Sequence, residues 1–231
     1  MIFSKGNLKV GDLVLGLLNW QKYCFIEEKH LAVLPKSYPY PEDFLGIYGI
    51  SGLTAYFGLF DVGKIKSGET VVISAAAGAV GEIAVQLAKN HGCKVIGVAG
   101  GADKCDYVKQ LGADHIIDYK KGSILKELKT LCPKGVDVYF DNVGGQMLDD
   151  VLMVVRDNCR VVLCGAISSY NENPAEMYRI KNYQRLIIKR GTMQGFLYFD
   201  YKNKFPEAIK ELMKQVHSKK LTYRKDILVG I

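Results

Sequence analysis

No two of the six cysteines are spaced as a C-x-x-C pair. Cys24, Cys93, Cys105, Cys132, Cys159 and Cys164 stand apart, so the spacing of a structural zinc site is missing. Scattered thiols of this kind fit plain burial in a reducing compartment. Histidine is scarce. His30, His91, His115 and His217 share no ligand spacing, and no metal is expected. No apolar run is long enough to cross a bilayer, and the opening MIFSKGNLKVGD lacks the charged-then-apolar layout of a secretory signal. These absences predict a cytoplasmic protein with no membrane partner. Long Lys/Arg runs are absent too. The 31 Lys and Arg against 24 Asp and Glu leave a net charge of +7 spread along the chain. That balance weakly favours anionic ligands and does not mark a nucleic-acid binder.

What is present is ordinary globular composition, 48% hydrophobic and 24% charged over 231 residues. This suffices for one well-packed domain, or one domain and a fragment of another. The first stretch reads as short strands and loops, with a strand over 12–18 and a Pro- and Tyr-rich connector over 31–44. A helix is predicted over 51–65. A regular alternation follows. Strands are predicted over 70–74, 94–99, 115–119, 136–143 and 160–165, and helices over 79–92, 102–112, 123–132 and 145–155. The tail adds a strand near 192–199, a helix over 204–218 and a short strand over 226–230. Alternating strand and helix predicts an α/β fold, a doubly wound parallel (Rossmann) sheet with helices on both faces.

Between the first strand and first helix of that alternation lies SAAAGAVGE, residues 74–82. The dinucleotide fingerprint G-x-G-x-x-G maps onto Ala76, Gly78 and Gly81, with alanine in the first place. Gly78 would let a pyrophosphate approach the backbone. Gly81 would let the helix sit close to the strand, and the helix N-terminus offers free N–H groups and a positive dipole end. At the end of the second strand, where NAD binders place an acid for the ribose, the chain has Gly100 and Gly101. Without a carboxylate there, a 2′-phosphate is not repelled. Lys104 offers that phosphate a point charge, and Asp103 is the competing feature, a late acid for the ribose.

The segments GLTAYFGL, AAAGAVG, LGAD, YFDNVGG and CGAISSYN occur in order. They resemble the medium-chain dehydrogenase/reductase superfamily. Within it they are most similar to the zinc-independent prostaglandin reductase group, also called leukotriene 12-hydroxydehydrogenases or alkenal/one oxidoreductases. The likeness covers nearly the whole chain and is tightest over 49–170. It implies reduction of the carbon–carbon double bond of α,β-unsaturated ketones and aldehydes with NADPH. Carried over position by position, it implies that Gly78, Ala79, Val80 and Gly81 hold the pyrophosphate. Lys104 and Tyr119 would meet the 2′-phosphate end, and Asn142 would lie along the cofactor. The loop Cys164, Gly165, Ala166, Ile167, Ser168, Ser169 and Tyr170 would reach the nicotinamide half. Phe196, Leu197 and Tyr198 would offer backbone near the carboxamide. Tyr170 is the catalytic candidate, either as donor to the carbonyl oxygen or as an orienting group.

The likeness also implies a division of the chain. Residues 1–48 would be a partial, β-rich substrate-side (GroES-like) domain and 49–200 the dinucleotide-binding domain. Residues 201–231 would hold the last helix and the start of a return to the substrate side. Against the family, the chain begins inside the first segment and stops before the closing helix. A truncated product with an incomplete substrate pocket is therefore expected, with apolar surface exposed where walls are missing. A homodimer is implied, its strand near 192–199 pairing across a two-fold axis. Two alternatives stand beside the enone reductase: a quinone oxidoreductase on the same scaffold, and an NADPH-binding module without turnover. Two other patterns are set aside. Tyr198 and Lys202 match Y-x-x-x-K, but their stretch reads as strand then loop and its companion glycine turn is absent. Arg179, Lys181, Arg185, Lys189 and Arg190 read as a solvated helix face, with the holding of anionic substrates such as fatty-acid carboxylates as the alternative.

Overall fold

The computed structural model describes residues 6–19 and 21–228. Near the start, β1 (Val14–Leu15) pairs antiparallel with β2 (Ala32–Val33). Then come α1 (Ile50–Phe57), β3 (Thr70–Ile73), α2 (Ala79–Asn90), β4 (Lys94–Ala99), α3 (Ala102–Gln110) and β5 (His115–Asp118). The second half holds α4 (Ile124–Leu131), β6 (Val136–Asp141), α5 (Gly145–Leu152), β7 (Val155–Leu163), α6 (Gln184–Lys189), β8 (Thr192–Gly195) and α7 (Phe205–His217). Six strands form one parallel sheet in the order β5-β4-β3-β6-β7-β8. The doubly wound parallel fold expected from the alternation is the fold observed.

Strand side chains alternate between two cores, as a pleated sheet covered on both faces requires. Val71, Ile73, Val138 and Phe140 face α1, α2, α3 and α7. Val72, Ile96, Val98, Ile117 and Tyr139 face α4 and α5. Both faces are apolar, which is why β3, β4 and β6 read as nearly continuous hydrophobic runs.

Several boundaries differ from the sequence reading. The strand expected over 12–18 is paired only at Val14–Leu15. The helix expected over 51–65 ends at Phe57 and continues as one π turn, Gly58–Val62. The change of winding falls where the backbone crosses the end of β6: a Cβ on Gly58 would lie 2.5 Å from the Phe140 ring and 2.7 Å from the Phe196 ring. Helix α5 stops at Leu152, and β7 starts at Val155, with its register against β6 shifting before Arg160. The strand expected to 199 ends at Gly195, and residues 198–204 form a 3-10 turn, so Tyr198 and Lys202 lie in helical rather than strand-then-loop backbone. Of the strand expected over 226–230, residues 226–228 are not in a strand, and the remainder lies outside the described residues.

The chain after α7 is tied back across the fold. The Thr222 backbone exchanges two hydrogen bonds with the Gln86 amide, each 2.8 Å. The Arg224 guanidinium lies 3.3 Å over the Tyr107 ring. Buried Asp43 accepts from Tyr38 (2.8 Å) and Tyr223 (2.5 Å) and pairs with Lys225 at 2.7 Å. Asp43 thus joins the connector before α1 to the tail after α7. Removing one acceptor strands two hydroxyls and an ammonium. Asp43→Ala is expected to cost about 3 kcal/mol, seen as a lower urea midpoint. Lys225→Met, which keeps both tyrosine bonds, is expected to cost less than half of that.

Candidate dinucleotide site

In an open α/β sheet, ligands bind outside the carboxyl ends of the strands where the strand order reverses. Here that point lies between β3 and β6, which are neighbours although two further strands separate them in sequence. The chain leaves β3 through Ser74 and Ala75, and Ala75 takes a left-handed conformation, φ +46. Its carbonyl accepts the N–H of Gly78 (2.9 Å), closing the turn. Ala76, in the first glycine place, is buried. It fits because Gly97 of β4 lies opposite: a Cβ there would approach the Ala76 Cβ to 3.1 Å. Gly78 caps α2 with extended backbone and is exposed, and the Glu82 N–H is the first to bond back, to the Gly78 carbonyl at 2.8 Å. The N–H groups of Ala79, Val80 and Gly81 therefore have no helical acceptor. A bare turn with Gly78 exposed, leading into a twelve-residue helix, fits a pyrophosphate.

Ala75 also offers a test of local strain. A left-handed L-residue is disfavoured, and β-branching makes it worse. Ala75→Gly is expected to change stability by no more than about 0.5 kcal/mol, relief in the folded turn being offset by greater freedom of the unfolded chain. Ala75→Val is expected to lose about 2 kcal/mol. Thermal unfolding of the pair reads the difference.

The other wall of the crevice is built around an aspartate that the sequence reading did not single out. Asp141, the last residue of β6, is fully buried. Its Oδ1 accepts from the Tyr139 hydroxyl (2.8 Å), the Ser74 hydroxyl (3.2 Å) and the N–H groups of Val143 and Gly144 (both 2.9 Å). Its Oδ2 has no partner, and burial pushes its pKa above the usual carboxylate range. A second aspartate closing the run VDVYFD, after Asp137 near its start, was the available signal. Beside it, Asn142 donates its N–H to the Ser74 hydroxyl (2.8 Å) and its side-chain amide to the Ser74 carbonyl (2.7 Å). The Asn142 Oδ1 is not used in those bonds.

The loop after β7 is zipped to the same strand end. Cys164 and Gly165 donate to the Asp141 carbonyl (2.8 and 3.0 Å), Ile167 to that of Asn142 (3.2 Å), and Ser168 to that of Val143 (3.1 Å). Ser169 turns back on the Ala166 carbonyl. Burial pushes the Cys164 thiol up to about 12, so it is an inert neighbour rather than a nucleophile. Tyr170 is 63% exposed, and its hydroxyl accepts the Ala166 N–H at 3.0 Å. That leaves the hydroxyl proton available to another acceptor.

Towards the far edge, Lys104 is exposed in the first turn of α3, and Tyr119 follows β5 with its ring against Gly100. Past β8, the Phe196 ring packs towards Gly58, Leu197 is exposed, and the Tyr198 ring stacks on Phe205 at 5.7 Å. All the residues singled out from the sequence thus follow the carboxyl ends of strands. Gly78 to Gly81, Asn142 and Cys164 to Tyr170 surround the switch point. Lys104 and Tyr119 lie to its β4–β5 side, and Phe196 to Tyr198 to its β8 side. A 450 Å³ cavity lies at the opposite end, bounded by Lys66, Arg156 and Arg160, and its arginines are paired with Asp137 and Glu69. Among the described residues, no group of His, Cys, Asp or Glu is placed to hold a metal ion, and no helix is long and apolar enough to cross a membrane.

A parallel sheet in this order, with a glycine turn at its switch point, defines a Rossmann-type dinucleotide-binding protein. Residues 79–214 match the family described as zinc-binding dehydrogenase. An NADP-dependent oxidoreductase of Bacillus subtilis, YfmJ, is 46% identical over 99% of this chain and 69% of its own length. The NADP-dependent 2-alkenal reductase of Nicotiana tabacum is 40% identical over 96% of this chain and 65% of its own. The crystal structure of CurA from Vibrio vulnificus in complex with NADPH superposes with a TM-score of 0.77 at 38% identity, covering 84% of this chain and 59% of that one. The chain therefore spans about two thirds of the length of the relatives it matches. It belongs to the zinc-binding dehydrogenase family of the medium-chain dehydrogenase/reductase superfamily, in the company of alkenal and prostaglandin reductases.

Proposed function

We propose that this chain is the cofactor-binding part of an NADPH-dependent reductase that adds hydride to the β-carbon of α,β-unsaturated ketones and aldehydes. One observation carries the reading: a bare glycine turn opens α2 at the switch point, while the end of β4 presents Gly100 and the Tyr119 ring instead of an acid. The NADP-dependent alkenal reductase and the NADPH-bound neighbour support the cofactor and the substrate class. The cofactor supplies the hydride. The backbone N–H groups of Ala79, Val80 and Gly81 hold its pyrophosphate, and Gly78 gives them access. Lys104 and Tyr119 meet its 2′-phosphate, and the Asn142 Oδ1 accepts from its ribose or carboxamide. The 164–170 loop and the backbone of Phe196, Leu197 and Tyr198 flank the nicotinamide half. Tyr170 donates a hydrogen bond from its hydroxyl to the substrate oxygen as negative charge gathers there, and the α-carbon takes its proton from water. The proposal includes a substrate-side role for residues 1–48 and for those after 200, with 49–200 as the cofactor domain. It also includes a homodimer joined through β8, one of the two edge strands of the sheet.

Cofactor fluorescence with NADH as control tests the first half, and loss of NADPH absorbance with a simple enone tests the second. NADPH-selective binding and enone-dependent oxidation are expected. Tyr170→Phe is expected to lower kcat about tenfold with little change in the KM for NADPH. Turnover with quinones alone would replace the enone reading by the quinone one. Selective binding without turnover would leave a cofactor-binding module, and no binding would overturn the proposal.

A further inference from the structure

Gly100 follows β4, at the place where dinucleotide folds put the residue that meets the adenosine ribose. Its backbone is outside the left-handed region, so conformation does not call for glycine. The three atoms that a Cβ would meet first all belong to one side chain: Cε1 and Cζ of Tyr119 at 2.6 Å and its hydroxyl oxygen at 2.8 Å. The Tyr119 ring therefore lies across the bare Cα of Gly100. The two strand ends beneath it are locked together. Tyr119 donates its N–H to the Ala99 carbonyl (3.1 Å), and the Asp118 carboxylate takes the N–H groups of Gly101 (3.0 Å) and Lys120 (3.1 Å). The ring itself is 47% exposed. A methyl group at position 100 would meet the ring first and press on it before any backbone atom.

We infer that Gly100 is a specificity-determining residue for the cofactor, because it is the seat that holds the Tyr119 hydroxyl against the 2′-phosphate. On this account any side chain at position 100 loses the phosphorylated cofactor, whether or not it carries charge. Simple repulsion by an acid would make Gly100→Asp harmful and leave Gly100→Ala harmless. The inference rests on the NADPH reading above.

The test is a set of fluorescence titrations with NADPH and NADH on the 231-residue chain. Gly100→Ala is expected to weaken NADPH about tenfold, the scale of one hydrogen bond to a charged group. NADH affinity should fall less than NADPH affinity, and thermal stability should stay near the parent's, because the closest contacts of the new methyl group are with the end of one side chain. Tyr119→Phe should reproduce the loss. The double variant Gly100→Ala/Tyr119→Ala should bind NADPH no more weakly than Tyr119→Ala alone, since both changes remove one interaction. Undiminished NADPH selectivity in Gly100→Ala overturns the inference and leaves the functional reading intact. Additive losses also overturn it, by showing that the new methyl group obstructs the cofactor directly. A parent chain that binds neither nucleotide overturns both.

Discussion

Gly81→Ala is expected to abolish NADPH binding and to cost about 3 kcal/mol of stability. A Cβ at this position would lie 2.2 Å from the Ala75 carbonyl oxygen, 2.9 Å from its carbon and 2.8 Å from the Ala76 Cα. All three atoms are backbone, so no rotamer change relieves the overlap. The turn after β3 and the first turn of α2 would have to separate. The shift would fall on the segment whose free N–H groups are to meet the pyrophosphate, and on a turn already holding Ala75 in a left-handed conformation. The loss of binding should therefore exceed what the loss of stability alone produces. Gly78→Ala supplies the contrast. Its Cβ would meet the Ala75 oxygen at 3.2 Å, a contact that a small adjustment absorbs. It should leave the fold within about 1 kcal/mol of the parent while weakening NADPH, because the methyl group stands on the exposed face of the turn. Urea unfolding and cofactor titration on the two variants separate the packing glycine from the access glycine. Normal NADPH binding by Gly81→Ala would contradict the proposed site.

Asp141→Ala is expected to be at least as damaging, costing about 4 kcal/mol. It removes the acceptor of four donors, two of them hydroxyls from β6 and the end of β3 and two of them N–H groups that start the next loop. Asp141→Asn keeps a carbonyl oxygen in the place of Oδ1 and should cost far less. The pH dependence has a definite sign. Burial raises the folded pKa above the unfolded value of about 3.9. The folded chain therefore holds this proton more tightly than the unfolded chain does. The associated stability is fully present below the unfolded pKa and is lost as pH rises through the folded one. Asp141→Asn cannot ionise, so its stability should fall less than that of the parent as pH rises from about 4 towards neutrality. Unfolding midpoints measured across that range check this. A parallel pH dependence in parent and variant would show that the side chain is charged in both states.

The same arrangement fixes Asn142 at the switch point. Its amide and its N–H are both committed to Ser74, whose own hydroxyl is held by Asp141. Two strand ends that meet only because the strand order reverses there are stitched by three adjacent polar residues. The 164–170 loop is then hung from the carbonyls of 141–143. Binding residues proposed on such strand ends would be held by these bonds before any ligand arrives, which lowers the ordering cost of binding.

The elements from β3 to β7 were legible in the sequence because each is a local pattern. Apolar runs of four to six residues, helical periodicity and closing glycines such as Gly92 and Gly112 depend on neighbours along the chain. The glycine turn was legible for the same reason. Its alanine at position 76 was not, since the room for it is made by Gly97 on another strand. Element ends were less secure where a partner decides them. The helix at 51–65 changes winding at Gly58 because two aromatic rings lie beneath it, and the strand near 192–199 stops when its pairing with β7 stops. Composition and periodicity by themselves determined a doubly wound parallel sheet with a phosphate-ready turn after its first strand. Only the tertiary structure decided that Asp141 is buried with four donors on one oxygen, that Tyr119 lies on Gly100, and that Asp43 is bonded to Tyr223, 180 residues away. The physical reason is common to all three. A polar group or a ring is placed by whatever the fold brings opposite it, and that partner leaves no periodic trace in the sequence.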